Sequence, residues 1–118
     1  MRVVVPLWLA VLTAVSLAPD RLKFRLGTKG AFHRADHVII FALTGLVFCW
    51  SASSVRSRVL RAAGACLAAF VLEWMEAFFY ENPVEWGDVW IGCLGAGLGF
   101  LLATILHAAH NPAPFVRK

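Results

Sequence analysis

The chain has 118 residues, 60% of them hydrophobic and 15% charged, with a mean hydropathy of +0.73 and a formal net charge of +4. That length holds one domain, taken as 1–118, and soluble domains carry about 25% charged and about 45–50% apolar residues. So short a chain cannot cover this much apolar surface with polar groups, which excludes an ordinary water-soluble fold; the basic balance suits membrane lipids with anionic head groups, and no long basic element is present to serve nucleic acid.

Apolar runs occur at about 3–18, 37–54, 60–80 and 89–109. A membrane helix needs about 20 residues, so the expected fold is all-α, a four-transmembrane-helix bundle with short loops. The first run is short and is expected to reach the interfaces by snorkelling of Arg2 and Arg21. Its rival reading is a cleaved signal peptide ending at Ser16-Leu17-Ala18. Pro19 would then follow the scissile bond, and cleavage would strand a basic segment at the new N-terminus, so the run is expected to be retained.

Residues 19–36 contain Arg21, Lys23, Arg25, Lys29 and Arg34 against Asp20 and Asp36. From Arg21 to Leu26 basic and apolar residues alternate with period two, and Gly27-Thr28-Lys29-Gly30 reads as a turn. The pattern predicts an extended or interfacial segment lying along the head groups. Residues 51–59 are serine-rich with Arg56 and Arg58, and residues 81–88 are acidic and turn-rich. Basic residues are divided six to five between the two sides: Arg2, Arg56, Arg58, Arg61, Arg117 and Lys118 against the five of 19–36. The positive-inside rule then places both termini in the cytoplasm of a multi-pass protein of the plasma or inner membrane.

The acidic residues are more sharply divided. Asp20, Asp36, Glu73, Glu76, Glu81, Glu85 and Asp88 all belong to one half of a four-span molecule, with His33 and His37. Glu73 and Glu76 share a helical face, and carboxylates within a membrane helix face the bundle interior, pair with a cation or mark a functional site. The expected arrangement brings Arg34 and His37 toward Glu73 and Glu76. Three readings of this cluster stay open: an ion-pair network that fixes packing, a pocket for a polar head group, and a metal site of His33, His37, Glu73 and Glu76. The ligand types suit zinc, but no HExxH-like signature accompanies them, so no metal or other cofactor is assigned.

Cys49, Cys66 and Cys93 lie in apolar runs without metal-type spacing and read as small packing residues. Gly92xxxAla96 and Gly95xxxGly99 are small-xxx-small patterns that let helices approach closely, with packing inside the bundle favoured over dimerisation. His107 and His110 fall near the C-terminal interface with no partner assigned. No nucleophile signature marks an enzyme, since the serines cluster at 51–57, away from the carboxylates.

The segment His33-Arg34-Ala35-Asp36-His37, continued by Phe41-Ala42 and Gly45, resembles the first conserved block of VanZ-like membrane proteins. Glu73-Trp74-Met75-Glu76, then Asp88 and Gly95-Ala96-x-x-Gly99, resemble the second, without gaps. Departures stand at His33, Arg34, Glu76, Asn82 and Gly92, where the family has Asp, Lys, Gln, a loop Arg and Asn, which describes a divergent bacterial member. The resemblance implies a cell-envelope protein of a family associated with resistance to the glycopeptide teicoplanin. The expected function is engagement of an anionic lipid or lipid-linked envelope precursor. Arg21, Lys23, Arg25 and Lys29 would meet the head group, and the polar site would comprise His33, Arg34, Asp36, His37, Glu73, Glu76 and Asp88. Gly45, Gly92, Gly95, Ala96 and Gly99 would pack the helices. The alternative is a non-enzymatic partner subunit, a homo- or hetero-oligomer in which Gly95xxxGly99 docks on a larger membrane complex and the charges are purely structural.

Overall fold

The computed structural model describes residues 3–25 and 33–112. Among these residues the fold is all-helical, 85% helix with no strand. Five helices follow in order: α1 (Val4–Ser16), α2 (Asp20–Arg25), α3 (His33–Trp50), α4 (Val55–Tyr80) and α5 (Trp86–His110). The boundaries follow from local chemistry. Ser54 caps α4 by accepting a hydrogen bond from the Ser57 N–H at 3.1 Å. Glu81 ends the same helix in the left-handed region at φ 55°, and the Asn82 N–H reaches back to the Ala77 carbonyl at 3.1 Å. Pro83 follows, where the helix cannot continue.

Two helices, α4 and α5, are long and apolar enough to cross a membrane. At 26 and 25 residues they measure about 39 and 37 Å, against a hydrocarbon core of about 30 Å. Only 28% of the most apolar 18-residue stretch of each is buried. An apolar helix with most of its surface uncovered is the reverse of a soluble core helix and suits lipid as solvent. Helix α1, with 13 residues, is shorter, and the 18-residue α3 spends its first turn on His33, Arg34 and Asp36.

Residues 20–25 form a short helix, so of the extended or interfacial segment expected there the extended form is corrected. The Pro19 carbonyl accepts from the N–H groups of Leu22 (2.9 Å) and Lys23 (3.0 Å). An isolated extended segment would leave these backbone groups without partners, whereas a helical turn satisfies them internally. The expected turn at 27–30, with Lys29, lies outside the described residues.

Short connections make successive long helices antiparallel, so α1 and α4 run toward one end of the bundle and α3 and α5 run away from it. The parallel pair α3 and α5 makes the closest contact. A Cβ at Gly95 would stand 2.6 Å from the Val38 carbonyl oxygen, and one at Gly99 would stand 2.6 Å from the Leu46 nitrogen. Only glycine lets the two backbones approach this far. Gly45, Gly92 and Ala96 are buried along the same contact, with Gly92 facing Ala69 of α4 and Phe41. The small-residue pattern is therefore consumed inside the chain, and Gly95 and Gly99 present no surface to a docking partner. Leu12, Phe41, Ala69 and Leu72 form the core from α1, α3 and α4, with Ile40 against them. The Trp8 indole N–H ties α1 to α3 through Thr44 Oγ1 at 2.9 Å, and that hydroxyl donates onward to the Ile40 carbonyl at 2.8 Å. Large apolar side chains such as Leu67, Phe78, Trp90, Leu94 and Ile105 point outward.

At the far end of the bundle, Arg61 donates to the Phe48 carbonyl (3.1 Å) and to Ser51 Oγ (2.6 Å), which closes the α3–α4 turn. Cys49 is buried there, its thiol donating to the Arg58 carbonyl at 3.4 Å, while Cys66 and Cys93 stand within thiol contact of each other. All three cysteines are free and serve as packing groups.

Candidate functional site at the polar end of the bundle

The directions of the helices carry the C-terminal end of α4 and the N-terminal ends of α3 and α5 to one place. Asp20 of α2 and the α4–α5 loop join them, so all seven carboxylates gather in that half of the molecule. Between these ends lies a cavity of about 240 Å³. Its lining combines the apolar side chains of Leu12, Val15, Ile40, Phe41 and Ala77 with the polar ones of Lys23, His33, His37, Glu73, Glu76, Glu85 and Asp88.

Each charged group is held from a different element. Lys23 is buried and donates to Glu76 Oε1 at 2.6 Å, with its ammonium 5.8 Å from the centre of the Tyr80 ring. Tyr80 in turn donates to the Leu17 carbonyl at 2.6 Å, which pins the α1–α2 corner against the end of α4. Glu73, 9% exposed, accepts the backbone N–H of Glu85 at 2.9 Å and so fixes the start of α5. Asp88, 8% exposed, meets His33 Nε2 at 2.8 Å. The His33 and His37 rings lie 5.0 Å apart, and His37 rests on Phe41 at 5.5 Å. Helix α3 begins at His33, so both histidines occupy one helical face.

Several expectations need correction. Arg34 is exposed and does not line the cavity, and neither does Asp36; both point away from the face that carries His33 and His37. Lys23 supplies the internal cation instead. It was expected among the outward basic residues, but a step of two residues along the helix, a rotation of about 200°, turns it away from the directions of Arg21 and Arg25, which are exposed. The metal-competent grouping also differs from the expected set. The ligand atoms of His33, His37 and Asp88 lie within 4.8 Å of one another, so Asp88 takes the place expected for Glu73 and Glu76, whose carboxylates are engaged by Glu85 and Lys23. Asn82 and Pro83 line the cavity as well. The helical period, had it been applied to 20–25 in place of the period-two alternation, was the signal that could have found Lys23.

With neutral histidines the cavity wall holds four carboxylates, Glu73, Glu76, Glu85 and Asp88, against the single ammonium of Lys23. The interior is therefore acidic, while the outer surface of α2, with Arg21, Leu22, Phe24 and Arg25 exposed, is basic and amphipathic. Compared with known proteins, the chain matches no family model, no curated protein and no solved structure.

Proposed function

We propose that this chain is a VanZ-like, four-span envelope membrane protein whose polar end engages the head group of an anionic lipid or lipid-linked precursor. One observation carries the reading: a cavity lined by both apolar and hydrogen-bonding side chains opens beside a basic amphipathic helix. Arg21 and Arg25 on the outer face of α2 meet the phosphate at the membrane surface. The exposed Leu22 and Phe24 hold that helix in the interface. The acidic side chains of the cavity suit the hydroxyl- or amine-bearing part of the head group, and its apolar side chains suit the first carbons of the chain. The resemblance supports the same place, because its motif positions His37, Glu73 and Asp88 all line this cavity.

The competing reading is an ion-pair network that only fixes packing, favoured by the partners that Glu73, Glu76 and Asp88 already have. Glu73→Gln separates the two. Glutamine keeps the acceptor for the Glu85 N–H, so helix content and detergent stability should stay within about 1 kcal/mol of the parent. In phosphatidylglycerol nanodiscs, co-purification of a polyprenyl diphosphate should fall at least tenfold for Glu73→Gln and for Arg21→Ala/Arg25→Ala. Unchanged lipid retention in both would leave the packing network as the function of the cluster. Labelling single cysteines introduced at Ser53 and Asn82 from each side of intact cells tests orientation; a cytoplasmic position 82 would remove the envelope-facing reading.

A further inference from the structure

An acidic cavity is a poor receptor for a phosphate unless something reverses its sign. We propose that His33, His37 and Asp88 form a binding site for a divalent transition metal of the zinc type, with a coordination position open to the cavity for an oxygen ligand. The inference rests on the cavity being a ligand site, but not on which lipid enters it.

Three observations converge. The ligand atoms of the three side chains lie within 4.8 Å of one another, and His33 Nε2 and Asp88 Oδ2 are already 2.8 Å apart. Zinc–ligand bonds of about 2.0–2.1 Å in a tetrahedron place ligand atoms about 3.3 Å apart. The pair therefore opens by about 0.5 Å and the widest separation closes by no more than about 1.5 Å, a side-chain rotation rather than a backbone movement. The two histidines come from successive turns of α3 and the carboxylate from the first turn of α5. The tight α3–α5 contact through Gly95 and Gly99 fixes these two helices relative to each other, which predefines the site. Finally, the surrounding Glu73, Glu76 and Glu85 carboxylates outnumber Lys23, so the local field attracts a dication.

The donor set decides the metal class. Two imidazole nitrogens and one carboxylate oxygen suit zinc or ferrous iron, whereas magnesium and calcium prefer all-oxygen shells. Three protein ligands leave a fourth position, which faces the 240 Å³ cavity. A bound dication there would offset the negative wall and accept a phosphate oxygen, so an anionic group could enter beyond the rim.

The test uses the full chain in detergent with any affinity tag removed, stripped with EDTA and titrated with Zn2+ against a chromophoric chelator. One equivalent should bind per chain, with no competition from millimolar Mg2+. His37→Gln and Asp88→Asn, which keep side-chain size and hydrogen bonding, should each weaken binding more than about 100-fold, beyond what loss of a merely supporting group costs. Their circular dichroism and gel-filtration profiles should match the parent, and His107→Ala/His110→Ala should bind as the parent does. Absent stoichiometric Zn2+ binding, or parental affinity in both His37→Gln and Asp88→Asn, overturns the site. Lipid retention, measured beside the titration, separates the two proposals: lipid retained by a protein that fails to take up Zn2+ in the titration overturns the metal site alone, and stoichiometric Zn2+ uptake with no lipid retained by either the stripped or the loaded protein overturns the lipid reading alone.

Discussion

Replacing Gly95 by alanine is the most direct probe of the contact on which the polar end depends. The new Cβ would stand 2.6 Å from the Val38 carbonyl oxygen, 2.9 Å from Phe41 Cβ and 3.1 Å from the Ala42 nitrogen. Two of these three atoms belong to the α3 backbone and cannot rotate aside, so the helices must part by several tenths of an ångström. Overpacking of this kind costs about 1–3 kcal/mol. Alanine returns about 1 kcal/mol of helix propensity relative to glycine, which leaves a net loss of between zero and about 2 kcal/mol. Gly97, two residues further on, has nothing within 4 Å of its Cβ direction, so Gly97→Ala keeps only the propensity gain, from zero to about 1 kcal/mol. The chemical change is the same in both variants, and its effect on the unfolded chain cancels between them. Reversible unfolding in mixed micelles, followed by tryptophan fluorescence, should place Gly95→Ala about 1–3 kcal/mol below Gly97→Ala, since the propensity gain is common to both. If Gly95→Ala equals or exceeds Gly97→Ala in stability, the close α3–α5 contact is refuted, and with it the fixed placement of Asp88 against His33.

Other consequences are as specific. The Lys23–Glu76 pair, with side chains 8% and 28% exposed, is more shielded than a surface pair and less than a core one. A Lys23→Met/Glu76→Gln double-mutant cycle should give a coupling of about 1–2 kcal/mol, between the exposed and buried extremes; a coupling near zero would mean that α2 is not held by this contact. Glu73→Ala, unlike Glu73→Gln, removes the acceptor for the Glu85 N–H and should cost about 1–3 kcal/mol, with faster amide exchange confined to residues 82–88. Trp8→Phe keeps the ring but loses the N–H to Thr44, a loss of about 0.5–1.5 kcal/mol. It should loosen α1 first, seen as increased amide exchange in residues 4–16 with α4 and α5 unaffected.

The sequence by itself determined the helical class and the grouping of charge. Runs of apolar residues near 60–80 and 89–109 became the two long helices, which are long and apolar enough to cross a membrane, since a helix satisfies the backbone of an apolar segment internally. Connectivity then sufficed to gather every carboxylate at one end, since short loops force successive helices to alternate in direction. Gly95xxxGly99 was legible as a close-packing pattern, but the surface it meets was not: that it meets α3, and not another chain, depends on distances between segments remote in sequence. Side-chain direction was decided in the same way. The period-two reading of 21–26 and the helical one assign opposite fates to Lys23, and only the folded arrangement, with Glu76 at 2.6 Å, selects the second. Arg34 and Asp36 sit beside His33 and His37 in sequence, yet a rotation of about 100° per residue along the helix leaves Arg34 exposed and Asp36 half-buried outside the cavity lining. Asp88, 55 positions from His33, comes within 2.8 Å of it because α3 and α5 start at the same end and run in parallel. Chain order fixed which end of the protein would be polar; the pairing of its groups was settled by helix rotation and backbone contact, which no single segment encodes.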